Sequence, residues 1–304
     1  MSKIVFWSPL HGQGQTSNLH AMAFIMSLLY KKKVLIMQTH ILKNNLEGPL
    51  VGTNVGKHKS EYNEFFQDIG LDAAVTYSLM NQLTPYMLES CCITFPETSL
   101  LLLPGTETKN KETFERDIGK SVSKLVNDAD KCVDLVLIDV NSGNDKLSVR
   151  LMETADLIVI NLTQRRYVLD NYFSEYGNLL FNNNKKAFYL LGLYDDNSTY
   201  NINNCRVKYG KHIRKENSGV VPYCTKYLDA QNKCDVIDFF KDGLKNNINN
   251  NIDSPFFILK NMFSRGKYDP EETYYFFHRS ILSAKKMLRM IGMPVRMDEE
   301  RSIR

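Results

Sequence analysis

Cysteine is scarce: there are six in 304 residues. None forms a CxxC pair or falls at a histidine-flanked metal spacing, which excludes a disulfide-stapled scaffold and a cysteine metal site. Reduced, mostly buried thiols are the expectation. No stretch approaches the ~20 consecutive apolar residues of a membrane span. The opening run, MSKIVFWSP, breaks at Pro9 and is too short for a signal peptide, so a cytoplasmic location is expected. Excess charge of one sign is also lacking, with 38 Lys+Arg against 34 Asp+Glu and a net charge of +4. That balance calls for no polyanionic partner, and DNA binding is not favoured. The composition, 43% hydrophobic and 24% charged, is that of a globular protein and excludes collagen, coiled-coil rods and wholesale disorder. The length allows one large domain or two modest ones.

What is present is an alternation. Ile4–Trp7 is an apolar run fit for a buried strand, followed by a loop with Gly12 and Gly14. Residues 19–29 carry apolar side chains at helical spacing and end in Lys31-Lys32-Lys33, which suits a helix C-terminus. Residues 34–37 are a second strand, so the chain opens with a βαβ unit. Residues 42–60 read as a loop. Helices are expected at 61–80, 85–90, 111–129 and 167–181, and strands at 99–103, 133–140, 156–162, 187–193 and 220–222. The pattern predicts an α/β fold with a mostly parallel, doubly wound sheet. Ligands then gather at the C-terminal edge of the strands. The asparagine runs at 182–184 and 246–251 read as solvated loops, the second as a linker. Helices resume over 254–292. The expected organisation is a domain over 1–240 and an Asn-rich linker with a helical extension over 241–304.

The loop after the first strand reads Leu10-His11-Gly12-Gln13-Gly14-Gln15-Thr16-Ser17. Glycines opening a helix after a buried strand let backbone N–H groups converge on phosphate oxygens, where the helix N-terminus adds its positive end. Thr16 stands where a P-loop hydroxyl binds Mg²⁺. A tight βα turn chosen for packing has the same glycines, so the loop by itself leaves the two readings even. Asp139 ends the strand at 133–140 and continues into Val140-Asn141-Ser142-Gly143. A carboxylate at that tip suits a Mg²⁺ site beside Thr16, and the pair tips the balance toward nucleotide.

These residues carry a resemblance to the ParA/MinD group of deviant Walker A ATPases, a P-loop NTPase family that includes the TadZ/CpaE-type proteins of pilus and secretion clusters. Their loop has the form K-G-G-x-G-K-[ST]-[ST]. Leu100–Thr106 is similar to their "LLPGT" strand, Asp139 to Gly143 to their Walker B and switch II segment, and 155–160 to a further strand. Pro222, with Val221, Tyr223 and Ala230-Gln231-Asn232, resembles the segment flanking the adenine. The resemblance spans residues 1–240. It implies ATP or ADP with Mg²⁺, held by His11 to Ser17 and Pro222 with Thr16 and Asp139 at the metal. It also implies a homodimer and a role as a spatial organiser or assembly factor with a protein partner.

The departures point the same way within that group. The phosphate lysine is Gln15, the lysine that reaches across the dimer is Leu10, and the acidic D-x-D of strand 2 is Gln38-Thr39-His40. Without both lysines, hydrolysis is expected to be slow or absent, which fits the TadZ-like branch best. The alternatives are a partition-type ATPase that dimerises on ATP and coats DNA, and a small-molecule ATP-dependent enzyme. His11 and Arg165 are the nearby substitutes for the missing cations, and Asp195-Asp196 stands where the family has an adenine-contacting Asn-Arg. In the last helix Ile281, Ala284, Met287, Leu288 and Ile291 form one apolar face beside Lys285, Lys286 and Arg289. Core packing is the expectation, with peripheral contact to a membrane or a partner as the alternative.

Overall fold

Runs such as Val34–Gln38, Leu100–Leu103, Leu135–Asp139 and Leu157–Leu162 are buried at every position. A strand buried on both faces belongs inside a parallel sheet with helices on either side. The computed structural model describes residues 2–40, 46–52, 69–106, 119, 121–176, 186–249, 270–293 and 295. Its strands are β1 Ser2–Trp7, β2 Val34–Gln38, β3 Ile93–Thr94, β4 Leu100–Leu103, β5 Leu135–Asp139, β6 Leu157–Leu162, β7 Ala187–Tyr194 and β8 Ser218–Pro222. They form one eight-stranded sheet in the order β3-β4-β2-β5-β1-β6-β7-β8. All pairings are parallel except β3 with β4. The α/β, mostly parallel architecture expected from the sequence is present, and the register sets Phe6 and Gln38 level with Asp139.

The helices are α1 Gln15–Leu28, α2 Gly48–Val51, α3 Leu71–Leu79, α4 Pro85–Ser90, α5 Val122–Ala129, α6 Lys146–Thr154, α7 Arg166–Asn171, α8 Ile202–Lys208, α9 Thr225–Lys233, α10 Val236–Asn249 and α11 Pro270–Met290. A π-helical turn, Tyr172–Tyr176, extends α7. Alternate strand residues face two cores. Val5 and Trp7 look toward α3, α5, α6, α7 and α8. Ile4 and Phe6 look toward α1, α9, α10 and α11.

Several expected boundaries move. Within the described part of the stretch expected as a helix over 61–80, a helix begins at Leu71, where Gly70 has φ +106 and the Leu71 N–H donates to Pro104 O at 2.8 Å. Part of the loop expected over 42–60 is the single turn α2. The stretch read as a linker is helical through Asn249: Phe239, Phe240 and Leu244 of α10 are buried, so core contact overrides the weak helix propensity of asparagine. Helices α6 and α8 and the antiparallel β3 escaped the sequence reading. The parts of expected elements at 53–60, 61–68, 111–118, 177–181 and 254–269, and the run 182–184, lie outside the described residues.

The last helix packs as a core layer. Phe276, Phe277, Ala284, Met287 and Leu288 are fully buried. Phe24 of α1 stacks on Phe240 of α10 beside them, with ring centroids 5.0 Å apart. Helix α11 also covers the edge strand β8. Ser283 Oγ accepts from Val220 N–H at 2.9 Å and lies 2.8 Å from Val220 O, while Lys286 Nζ donates to Ser218 O at 2.9 Å. Those contacts occupy backbone groups an edge strand otherwise leaves open. Gly219 permits the approach, since a Cβ there would lie 2.4 Å from Ser283 Oγ. Among the described residues no helix is long and apolar enough to cross a membrane.

Candidate functional site: a phosphate-type loop and its strand-end carboxylate

The loop from Ser8 to Gly14 joins β1 to α1 at the C-terminal edge of the sheet. Gly12 and Gly14 both adopt left-handed backbone, φ +76 and +73. That conformation costs glycine nothing and a side-chain-bearing residue about 1 kcal/mol or more. A Cβ on Gly12 would meet nothing within 4 Å, so the loop is open on that side. Helix α1 starts at Gln15 with no side-chain cap and no acidic residue in its first turn. Its first N–H groups and its positive end are thus not offset by any carboxylate of the helix's own first turn.

Asp139 is fully buried at the tip of β5 and takes three neighbours. Thr16 Oγ1 donates to its Oδ2 at 2.6 Å. Gln15 Nε2 donates to its Oδ1 at 2.6 Å and to Val140 O at 2.6 Å. His40 Nε2 stands 3.7 Å from Oδ2. Gln15 Oε1 in turn accepts from Ser8 Oγ at 2.7 Å. The Gln15 amide therefore ties the loop to the carboxylate strand, an inward role that sequence reasoning missed in treating it only as a phosphate donor. The following loop is clasped to β1: Gly143, φ +76, donates N–H to Ser8 O at 3.0 Å, and Trp7 Nε1 donates to Gly143 O at 2.9 Å.

The remaining loop residues divide by exposure. Gln13 is buried; it accepts from Thr163 Oγ1 at 2.7 Å and donates to His11 O at 3.2 Å, so it braces the loop against the end of β6. Asn18 donates to Asn161 at 2.9 Å in a second brace. His11 and Leu10 are exposed. Ser17 receives α9: Tyr227 OH donates to its carbonyl at 2.8 Å and Gln231 Nε2 to its hydroxyl at 2.9 Å. Pro222 ends β8 opposite Tyr194 and is buried. The structure thus joins His11 to Ser17, Asp139 and the Gln231 helix into one edge.

The two arginines after β6 turn elsewhere. Arg165 donates to the Tyr167 hydroxyl at 3.4 Å and Arg166 pairs with Asp170 at 3.1 Å. Asp196, just after β7, faces the C-terminal helix through Tyr275 and Arg279. Its partial burial works to raise its carboxyl, but the Tyr194 and Tyr275 hydroxyls and Arg279 outweigh that and hold it below the usual carboxylate range. His40 and Asn141 were not among the expected site residues. The signal for His40 was its place in the strand-2 segment, where the resembled family carries acids.

The donor set fits a Mg²⁺-nucleotide at the backbone, hydroxyl and carboxylate positions and departs from it at the two lysine positions. Neither a family model nor a curated protein sequence matches the chain. Solved structures do. A ParA family ATPase from Chlorobium tepidum superposes with a TM-score of 0.61 at 19% identity, over 78% of this chain and 91% of that one. The septum site-determining protein MinD of Pyrococcus horikoshii, complexed with Mg-ADP, gives 0.62 at 14%, over 96% and 97%. A putative plasmid partition protein from Borrelia burgdorferi bound to AMPPNP gives 0.57 at 12%, over 95% and 98%. The chain has the P-loop NTPase-like fold of ParA- and MinD-type ATPases.

Proposed function

We propose that the protein binds ATP or ADP with a divalent cation at the Gly12–Ser17 loop and works as a positioning or assembly factor rather than as a rapid ATPase. The observation that carries this reading is the conjunction of the two left-handed glycines with the Thr16–Asp139 hydrogen bond of 2.6 Å. A packing turn needs the glycines but has no use for a buried carboxylate at the mouth of an uncapped helix. The N–H groups of the loop and the start of α1 would hold phosphate oxygens, and Thr16 and Asp139 would hold Mg²⁺, which supplies charge neutralisation. His11 to Ser17 would line the phosphates, and Pro222, with the strand end it closes, the base.

Rapid turnover needs cations that follow charge onto the leaving phosphate. Leu10 offers none, and the Gln15 amide is neutral and bonded inward. Turnover should then fall far below the ~1 s⁻¹ of ordinary enzymes. A chain that binds nucleotide and barely hydrolyses it serves best as a state-dependent binder. That supports a TadZ-like organiser that meets a protein partner and a second copy at the loop face, in the cytoplasm. The buried apolar stripe of α11 weighs against using that helix as a membrane anchor.

Calorimetry with ATP and ADP, with and without Mg²⁺, tests the reading. Binding that strengthens with Mg²⁺ and is lost in Asp139→Ala is expected. No nucleotide binding under any condition would reduce the loop to a packing turn. Turnover near 1 s⁻¹ would restore the alternative of a working partition-type ATPase.

A further inference from the structure

Residues 140–143, which follow the Asp139 carboxylate, are tied at every position. Val140 N–H donates to Phe6 O at 3.2 Å, and Val140 O accepts from Gln15 Nε2 at 2.6 Å. Asn141 O accepts from Ser148 Oγ at 3.0 Å. Ser142 Oγ lies 2.9 Å from Ser8 Oγ. Gly143 donates its N–H to Ser8 O at 3.0 Å, and its carbonyl accepts from Trp7 Nε1 at 2.9 Å. Each of these bonds joins two groups of the chain, and Ser8, Gln15 and Val140 are buried. A buried network with its polar groups paired is rigid, because opening it strands donors and acceptors away from water.

Gln15 is spent in the same network. A primary amide has two N–H hydrogens. They go to Asp139 Oδ1 and Val140 O, each at 2.6 Å, while the amide oxygen accepts from Ser8 Oγ at 2.7 Å. The neighbours settle the orientation of the amide: turned over, its oxygen would face a carboxylate and a carbonyl. Neither hydrogen is then left for a phosphate. Leu10 has none to give, and the Gly143 N–H is already given to Ser8. A ligand shifts a conformational equilibrium only through contacts that differ between the states. From this arrangement we infer that the site is blind to the terminal phosphate of ATP. Loop 140–143 stays clasped with ATP and with ADP alike, and the two states that a partner meets are empty and loaded. The inference rests on the nucleotide reading of the Gly12–Ser17 loop, and Gln15 is its specificity-determining residue.

The test is hydrogen–deuterium exchange of the full chain with Mg²⁺ and either ADP or AMPPNP. Exchange over 12–18 should slow with either nucleotide. Exchange over 140–143 should be slow, and the same in the free, ADP-loaded and AMPPNP-loaded protein. Trp7 is the only tryptophan, so its emission reports on the Gly143 clasp and should be the same with the two nucleotides. By calorimetry the two affinities should agree within about threefold. Gln15→Met keeps the reach of the side chain and removes the amide, so exchange over 140–143 should rise about tenfold or more. If that variant does not fold, Ser142→Ala, which removes one bond of the clasp, should show a smaller rise. Protection over 140–143 that appears only with AMPPNP, an affinity ratio of about tenfold or more, or unchanged exchange in a folded Gln15→Met each overturns the inference. Calorimetry separates the two ideas. Binding of both nucleotides with AMPPNP-specific protection removes only the inference, whereas binding of neither removes the reading beneath it and the inference with it.

Discussion

At the scale of single residues, Gly14 and Gln15 carry the sharpest consequences. Gly14 sits at φ +73 with the Leu193 side chain 3.7 Å from where a Cβ would be. Space alone would admit a methyl group; the backbone conformation is what a β-branched residue resists. Gly14→Val should leave a folded protein with no measurable ATP or ADP affinity by calorimetry, and unchanged affinity would favour the packing turn. Gln15→Lys replaces a neutral amide with a cation. A charge-assisted phosphate contact adds about 2 kcal/mol, so nucleotide affinity should rise tenfold or more. Turnover, followed by phosphate release, should rise far less, because Leu10 still brings no charge. A variant that gains turnover and affinity alike would show that one lysine suffices.

At the scale of elements, the seam between α10 and α11 decides whether the C-terminal helix is core or appendage. A Cβ on Gly243 would lie 2.1 Å from the Phe277 ring, itself wedged among Phe239, Phe240 and Phe276. In an exposed helix Gly→Ala gains up to about 1 kcal/mol. Here overpacking costs about 1–3 kcal/mol, so Gly243→Ala should lower the melting temperature instead of raising it. Met287 is fully buried. Met287→Asp should cost roughly 3 kcal/mol or more in denaturant unfolding, the price of an unpaired buried charge. A melt unchanged by Met287→Asp, with lost binding to acidic liposomes, would turn the helix into an anchor.

At the scale of the whole molecule, acid stability has a named contributor. His20 is fully buried in α1. Its Nε2 is 2.9 Å from Leu46 O, and its Nδ1 has no hydrogen-bond partner among the described residues. Burial pushes the imidazole down to about 4, with the Leu46 carbonyl and the Asp139 charge opposing in part. The unfolded chain then binds the extra proton first. Between pH 6.5 and 4 stability rises with pH; it is fully present above 6.5 and falls by roughly 3 kcal/mol on going down to 4. His212 and His278 are shifted downward as well, chiefly by partial burial, and act in the same direction. Urea unfolding across that window should show the loss, and His20→Gln should flatten most of it. A slope unaffected by that change would mean the imidazole is not buried neutral in solution.

All the strands but β3, the βαβ opening, the glycine loop and the carboxylate at the end of β5 were legible in the sequence. Each is written locally, as an apolar run, a turn residue or a strand tip. The sequence also marked the missing lysines, since those are identities at fixed places in one loop. What the substitutes do follows from contacts between distant parts of the chain. Gln15 faces Asp139, 124 positions away in the chain, and no local pattern tells an inward amide from an outward one. His40 and Asn141 meet because β2 and β5 are neighbours in space, a pairing set by the strand order. Residues 241–249 read as a solvated linker because asparagine is a poor helix former. They fold as a helix because Phe240 meets Phe24 and Phe277 across the core and Leu244 is buried in the same cluster, and burial of those side chains outweighs propensity.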